Sequence, residues 1–294
     1  MKYYTNKARQ TGMTLIELTV VLLVLIGLAG LMIPYVSGFV SKTHDSTGSF
    51  NSAALDANIQ RYQAEKLGFP SNMESLVDTG GAMYTKMMTT GFYVVANAGM
   101  QRTMSLAMAG ITDVVEMDNA TDNATFRATG SNASETIAGT TPLAAVTNIT
   151  AGAGPGGTFP ETLSVEQHLA AAFERDVNTF DSACYDYVAF GIGDKSDLIG
   201  STMSTAPVHF AQQGAMGPAN RYNRFVAVFQ VDKVGATGTT STPGGVASVP
   251  AVDCSANVEA AKFIGSAMSM AAMSGHLWGT SHSLAHTWQN IAAN

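Results

Sequence analysis

An apolar stretch near the start of the chain constrains its fold more than any other feature. Residues 12–34 read GMTLIELTVVLLVLIGLAGLMIP, and Glu17 is the only charged residue between Met13 and Ile33. About 20 helical residues cover roughly 30 Å, the thickness of the hydrocarbon core of a bilayer. A carboxylate inside such a stretch costs on the order of 2.5–3.5 kcal/mol on insertion scales. The sequence therefore predicts a membrane-spanning helix in which Glu17 has a specific role; a signal-anchor helix with one tolerated acid is the alternative.

Seven residues in and beside this stretch form a known pattern. They are Gly12, Met13, Thr14, Leu15, Ile16, Glu17 and Pro34. This arrangement resembles the N-terminal segment of the type IV pilin and type II secretion pseudopilin family, in which a prepilin peptidase cleaves after a leader glycine. The resemblance implies that residues 1–12 are a leader and that Met13 becomes the methylated N-terminus. Glu17 is then the fifth residue of the mature chain.

The leader charges predict the orientation of the chain. Lys2, Lys7 and Arg9 precede the apolar stretch and no acid does, so the N-terminus is expected to stay cytoplasmic. We therefore expect a single-pass inner-membrane protein before assembly and a periplasmic or extracellular filament afterwards. The resemblance adds an inner-membrane assembly platform to the expected partners.

The position of Glu17 suggests a role in assembly. Cleavage leaves a free ammonium on Met13, and two charges in a low-dielectric environment need partners. In the family, the glutamate is thought to meet the N-terminal amine of a neighbouring subunit. The resemblance therefore implies a structural subunit of a type IV pilus-like or type II secretion pseudopilus filament, a homo-oligomer joined through N-terminal helices. The alternative is a minor (tip) pilin that acts as an adhesive surface-binding module, because 282 mature residues exceed what a plain subunit needs.

The predicted fold is α+β and pilin-like. A helix is expected over residues 13–67, with 13–36 spanning the membrane and a kink at Gly30 and Pro34, because proline cannot donate to the Gly30 carbonyl. Residues 68–294 should form an exported globular domain in which this helix packs on a small antiparallel sheet. Large flexible loop insertions are expected near 118–162 and 235–250, and a helical region at the C-terminus.

Local patterns place the smaller elements. Residues 92–96, 111–117, 185–192 and 224–231 are predicted strands, and Ser164 with Gln167 predicts a capping box. The run of Gly68, Phe69 and Pro70 resembles the junction of major pseudopilins, where the long helix is followed by a short capped helix.

Composition and motifs exclude several functions. Without residues 1–12 the chain has 12 basic and 22 acidic residues, a net charge of −10, which argues against nucleic-acid binding through a basic face. No GxSxG, HExxH or P-loop pattern is present. We therefore expect a protein that is not an enzyme and that holds no catalytic cofactor.

Two pairs of residues remain candidates for covalent or metal chemistry. Cys184 and Cys254 are an even count in a chain expected to leave the cytoplasm, so a disulfide is predicted, with two buried thiols as the alternative. Asp194 and Asp197 follow a predicted strand, where a turn is the default. A calcium site there is a weaker hypothesis, which the resemblance to calcium-binding major pseudopilins suggests.

The leader motif predicts cleavage between Gly12 and Met13. In a host that has prepilin peptidase, mass spectrometry should find Met13 at the N-terminus with a methylated amine. Replacing Gly12 by a bulky residue should leave the leader attached. An uncut leader on assembled wild-type protein would contradict this prediction.

Overall fold

The computed structural model describes residues 15–78, 80–85, 87, 91–117, 133–148, 162–208, 222, 224–236, 240–241, 252–255 and 257–268. The chain divides into two compact units, residues 1–46 and residues 47–294. Helix α1, Leu15–Lys66, contributes its first residues to the N-terminal unit and its last turns to the larger unit.

The larger unit contains the β-strands. They are β1 (Met73–Asp78), β2 (Phe92–Val95), β3 (Asp113–Met117), β4 (Ser134–Thr136), β5 (Leu143–Val146), β6 (Tyr185–Gly191), β7 (Phe225–Asp232), β8 (Thr240–Ser241), β9 (Val252–Asp253) and β10 (Lys262–Met268). Its further helices are α2 (Gly99–Met108), α3 (Val165–Phe173) and a 3-10 turn at Val177–Thr179.

Eight of these strands form one mixed sheet. Its order is β10-β7-β6-β1-β3-β4, while β5 pairs with β6 and β2 pairs with β5. Strands β1 and β3 are parallel and the other pairs are antiparallel. The longest regular ladder joins β6 to β7, from Tyr185 opposite Asp232 to Gly191 opposite Val226.

The central strands are covered on both faces. On one face, Leu55 and Ile59 of α1 belong to the same buried cluster as Phe229 of β7. On the other face, Leu169 of α3 belongs to a cluster with Val228. Because side chains alternate across a strand, this burial explains why β6 and β7 are almost continuously apolar.

The end of α1 protects one edge of the sheet. The Ser266 backbone N–H of β10 donates to Asp56 Oδ1 at 2.7 Å, and Ser52 Oγ donates to the Ser266 carbonyl at 2.6 Å. Burial raises the pKa of Asp56, and the hydrogen bonds from Ser266 partly oppose that shift. These contacts satisfy edge groups that would otherwise invite pairing with another strand.

The prediction of a pilin-like fold with a small antiparallel sheet is wrong. The sheet has eight strands and is mixed, with helices on both faces. The residues after Pro70 form strand β1 and not a short capped helix. Met73 is buried in the apolar cluster on one face of the sheet, and Leu76 and Val77 are buried in the cluster on the other face. Part of the predicted insertion near 118–162 carries strands β4 and β5.

The predicted helical C-terminal region is also wrong where the structure describes it. Residues Lys262–Met268 form β10, which pairs with β7 and has a bulge between Phe263 and Gly265. A Cβ atom on Gly265 would lie 2.7 Å from the ring of Phe173, so this glycine permits close contact between β10 and α3. Pairing with β7 gives this segment its strand conformation, although its local composition is compatible with a helix. Residues 269–294 lie outside the described part.

The predicted membrane span is contradicted as well. Among the described residues, no helix is long and apolar enough to cross a membrane. The expected single-pass inner-membrane placement, with its later periplasmic or extracellular location, is therefore not supported.

Several local predictions are confirmed. Strands β2, β3 and β6 lie within the predicted ranges, and β7 matches its predicted range to within one residue at each end. The capping box forms at the start of α3, where the Gln167 backbone N–H donates to Ser164 Oγ and the Ser164 N–H donates to Gln167 Oε1.

His168 of α3 should make folding stability depend on pH. Burial lowers its pKa to about 4 from 6.5, and its Nδ1 lies 3.1 Å from the Thr147 carbonyl oxygen. The unfolded chain gains a proton on this imidazole below pH 6.5 and the folded chain does so only near pH 4. The free energy of unfolding therefore falls as the pH falls through that window, by about 3 kcal/mol in total.

Denaturant unfolding between pH 7 and pH 4 should show this loss of stability, and the loss should be smaller in His168→Gln. An equal slope for both proteins would contradict it.

Candidate functional site

The first described turns of α1 present an apolar surface on every side. Twelve large apolar residues between Leu15 and Met32 are exposed, each with at least half of its surface accessible. The run from Val20 to Ile26 is exposed at every position, so no polar face exists there. A helix that is apolar all round is normally covered by other groups. Exposed apolar patches beyond a few hundred Å² mark interaction sites. We call residues 15–32 the apolar segment.

Glu17 lies in the first described turn of the apolar segment. It is exposed, and it is the acidic residue of that turn. A carboxylate near a helix N-terminus is favoured by the partial positive charge of the terminal N–H groups. Because Glu17 is exposed, the folding of the larger unit does not require its burial.

The other residues predicted for processing and bending fall partly outside the described chain. Gly12 and Met13 lie outside it, so the cleavage and methylation sites remain predictions. Gly30 and Pro34 both lie inside α1. The kink predicted at these positions stays a prediction.

The predicted disulfide between Cys184 and Cys254 is confirmed. Its Cα atoms are 5.2 Å apart, and the two cysteines are separated by 70 residues in sequence. Both cysteines are buried, in a small cluster with Ala236. The bridge ties the residue before β6 to the residue after β9. Disulfides of this kind persist in oxidising compartments.

Asp194 and Asp197 lie together on the turn after β6, but each is engaged by protein groups. Asp197 accepts hydrogen bonds from the Ser71 backbone N–H at 3.2 Å and from Asn72 Nδ2 at 2.9 Å. Asp194 lies 3.5 Å from Arg224 Nη2. Within the described chain, no group of three or more His, Cys, Asp or Glu residues is placed to hold a metal ion. The calcium hypothesis stays untested.

A buried charged cluster lies beside this turn and was not predicted. Arg224 Nη1 and Glu74 Oε1 are 2.8 Å apart, and both side chains are 2% exposed. The Tyr222 hydroxyl donates to Glu74 Oε2 at 2.5 Å, and burial together with the Glu74 charge raises its pKa well above 10. Gly193 is needed here because a side chain at that position would collide with Glu74 and Arg224.

The cluster has the character of a structural element. Removing one member of a buried ion pair costs about 3–5 kcal/mol, since it leaves the other charge uncompensated. The signal in the sequence was a single charge in each of two apolar strand segments, MESLV and RFVAVF. A second pair of the same kind joins Arg102 of α2 to Asp186 of β6 at 2.5 Å.

Comparison with known proteins gives no further assignment. No protein-family model, curated protein or solved structure matches this chain. The resemblance to type IV pilins and pseudopilins therefore rests on the residues of the N-terminal segment.

Loss of the disulfide should destabilise the larger unit. Replacing Cys184 and Cys254 together by serine removes a constraint on the unfolded chain worth about 4 kcal/mol for a loop of this length. Chemical denaturation of the variant should show a loss of that order, and wild-type protein treated with reductant should lose a similar amount. Equal midpoints for the oxidised and reduced wild type would contradict the prediction.

Proposed function

We propose that this protein is a structural subunit of a type IV pilus-like or type II secretion pseudopilus filament. Copies assemble through the apolar segment of α1 after the leader is removed between Gly12 and Met13. The observation that carries the proposal is the exposed apolar surface of residues 15–32, with a single carboxylate at its start.

The apolar segment is suited to contact with copies of itself. Its large exposed apolar residues are Leu, Ile, Val and Met, whose burial is favourable by about 25 cal/mol per Å² of apolar surface removed from water. Interfaces that are predominantly apolar are typical of permanent assemblies. Packing several such helices into a bundle covers every side of each apolar segment, whereas a contact on a single helix face leaves the other sides exposed.

Glu17 gives such a bundle its register. A carboxylate carried into an apolar bundle is tolerated only with a partner of opposite charge, because desolvation of an uncompensated charge costs several kcal/mol. The free amine of Met13 in a neighbouring copy is the partner that the family resemblance implies. Neighbouring helices are then offset along the fibre so that one N-terminus reaches the Glu17 of the next.

Substitution of Glu17 tests the proposal. Glu17→Ala should leave expression and the thermal stability of the larger unit unchanged, because Glu17 is exposed. Filaments seen by electron microscopy in a host with prepilin peptidase and an assembly platform should disappear. Glu65→Ala is the matched control, because it also removes an exposed carboxylate of α1, one that pairs with Arg61 at 2.7 Å. The control protein should assemble normally.

Two results would overturn the proposal. Filaments of normal length and number from Glu17→Ala protein would remove the assembly role of the carboxylate. Antibody labelling found only at fibre ends would assign the protein to the tip and not to the shaft.

A further inference from the structure

Three methionines lie on one exposed face of α2 in the larger unit. Met100, Met104 and Met108 are 73%, 44% and 58% exposed. Their spacing of four residues places them one above another on the helix surface. We call these three side chains the methionine face.

The opposite side of α2 holds the helix in place. Arg102, Ser105 and Leu106 are buried. Arg102 pairs with Asp186, Ser105 Oγ donates to the Glu259 carbonyl at 2.7 Å, and Leu106 is in the core cluster. The methionine face therefore contributes little to the packing of the larger unit, so changes there are separable from folding.

Three other methionines of the larger unit are buried. Met73, Met87 and Met117 are at most 3% exposed and belong to the apolar clusters. Methionine sulfoxide is polar, so oxidation at such positions disrupts a core. Oxidation on the methionine face places the new oxygen in water.

We propose that the methionine face is a site of oxidation that consumes peroxide and spares the fold. The oxidant class is hydrogen peroxide. A lone pair of the thioether sulfur attacks one peroxide oxygen, an S–O bond forms and the O–O bond breaks. The sulfur loses two electrons and becomes the sulfoxide. The departing hydroxide takes the proton of the newly formed S–OH group and leaves as water. Each chain therefore consumes three equivalents of peroxide on α2.

Peptide mapping of the full-length protein during exposure to hydrogen peroxide tests this site. Met100, Met104 and Met108 should become sulfoxides on the order of tenfold faster than Met73 and Met117, because susceptibility follows exposure. Once α2 is fully oxidised, the midpoint of thermal unfolding should be unchanged. Equal rates at exposed and buried methionines, or a midpoint that falls as α2 is oxidised, would overturn the proposal.

A variant separates this site from other methionines of the chain. Leucine has a helix propensity similar to that of methionine, so replacing all three residues of the methionine face by leucine should preserve α2. The fast phase of peroxide consumption should fall by three equivalents per chain. Met117→Leu is the matched control and should leave the fast phase unchanged. A triple variant that retains the full fast phase would contradict the assignment.

Discussion

Burial of the β6–β7 pair on both faces is the constraint on which the larger unit depends. Two adjacent strands with apolar side chains on both sides need a helical layer above and another below. The last turns of α1, together with α2, supply one layer through Leu55, Ile59 and Leu106, and α3 supplies the other through Leu169. Four charged groups buried inside this arrangement form two ion pairs, Glu74 with Arg224 and Asp186 with Arg102, which limits the cost of their burial.

Helix α1 serves two chemically different environments along its length. Its last turns meet the sheet with an ordinary amphipathic pattern, in which Leu55 and Ile59 are fully buried. Its first described turns are apolar on all sides and exposed. Covering that surface with apolar groups of another copy would be favourable by about 25 cal/mol per Å² of apolar area removed from water. For that reason we place the function of the protein in assembly and not in the sheet.

Sequence patterns predicted those elements whose local pattern is strong. The capping box of α3 and the apolar runs of β6 and β7 are examples. The Cys184–Cys254 bridge could be predicted because only one pairing is available. Strands β1 and β10 were not predicted, because polar or small residues interrupt their apolar pattern, as Glu74 and Ser75 do in β1 and Gly265 and Ser266 do in β10. Pairing with β3 and β6 sets the conformation of β1, and pairing with β7 sets that of β10. The Glu74–Arg224 pair likewise depends on long-range contacts, because its members are 150 positions apart in sequence.

Crosslinking from the apolar segment tests most directly the claim that α1 joins copies of this protein. A photoreactive amino acid placed at Leu22, which is 54% exposed, reports which residues lie against the segment in the assembled state. A mixture of isotope-labelled and unlabelled chains separates contacts between copies from contacts within one. The account predicts crosslinked peptides from residues 15–32 of two different copies, and few from the same probe at Leu67, which is 92% exposed in the larger unit. Equal crosslinking between copies from Leu22 and Leu67, or none from Leu22, would contradict it.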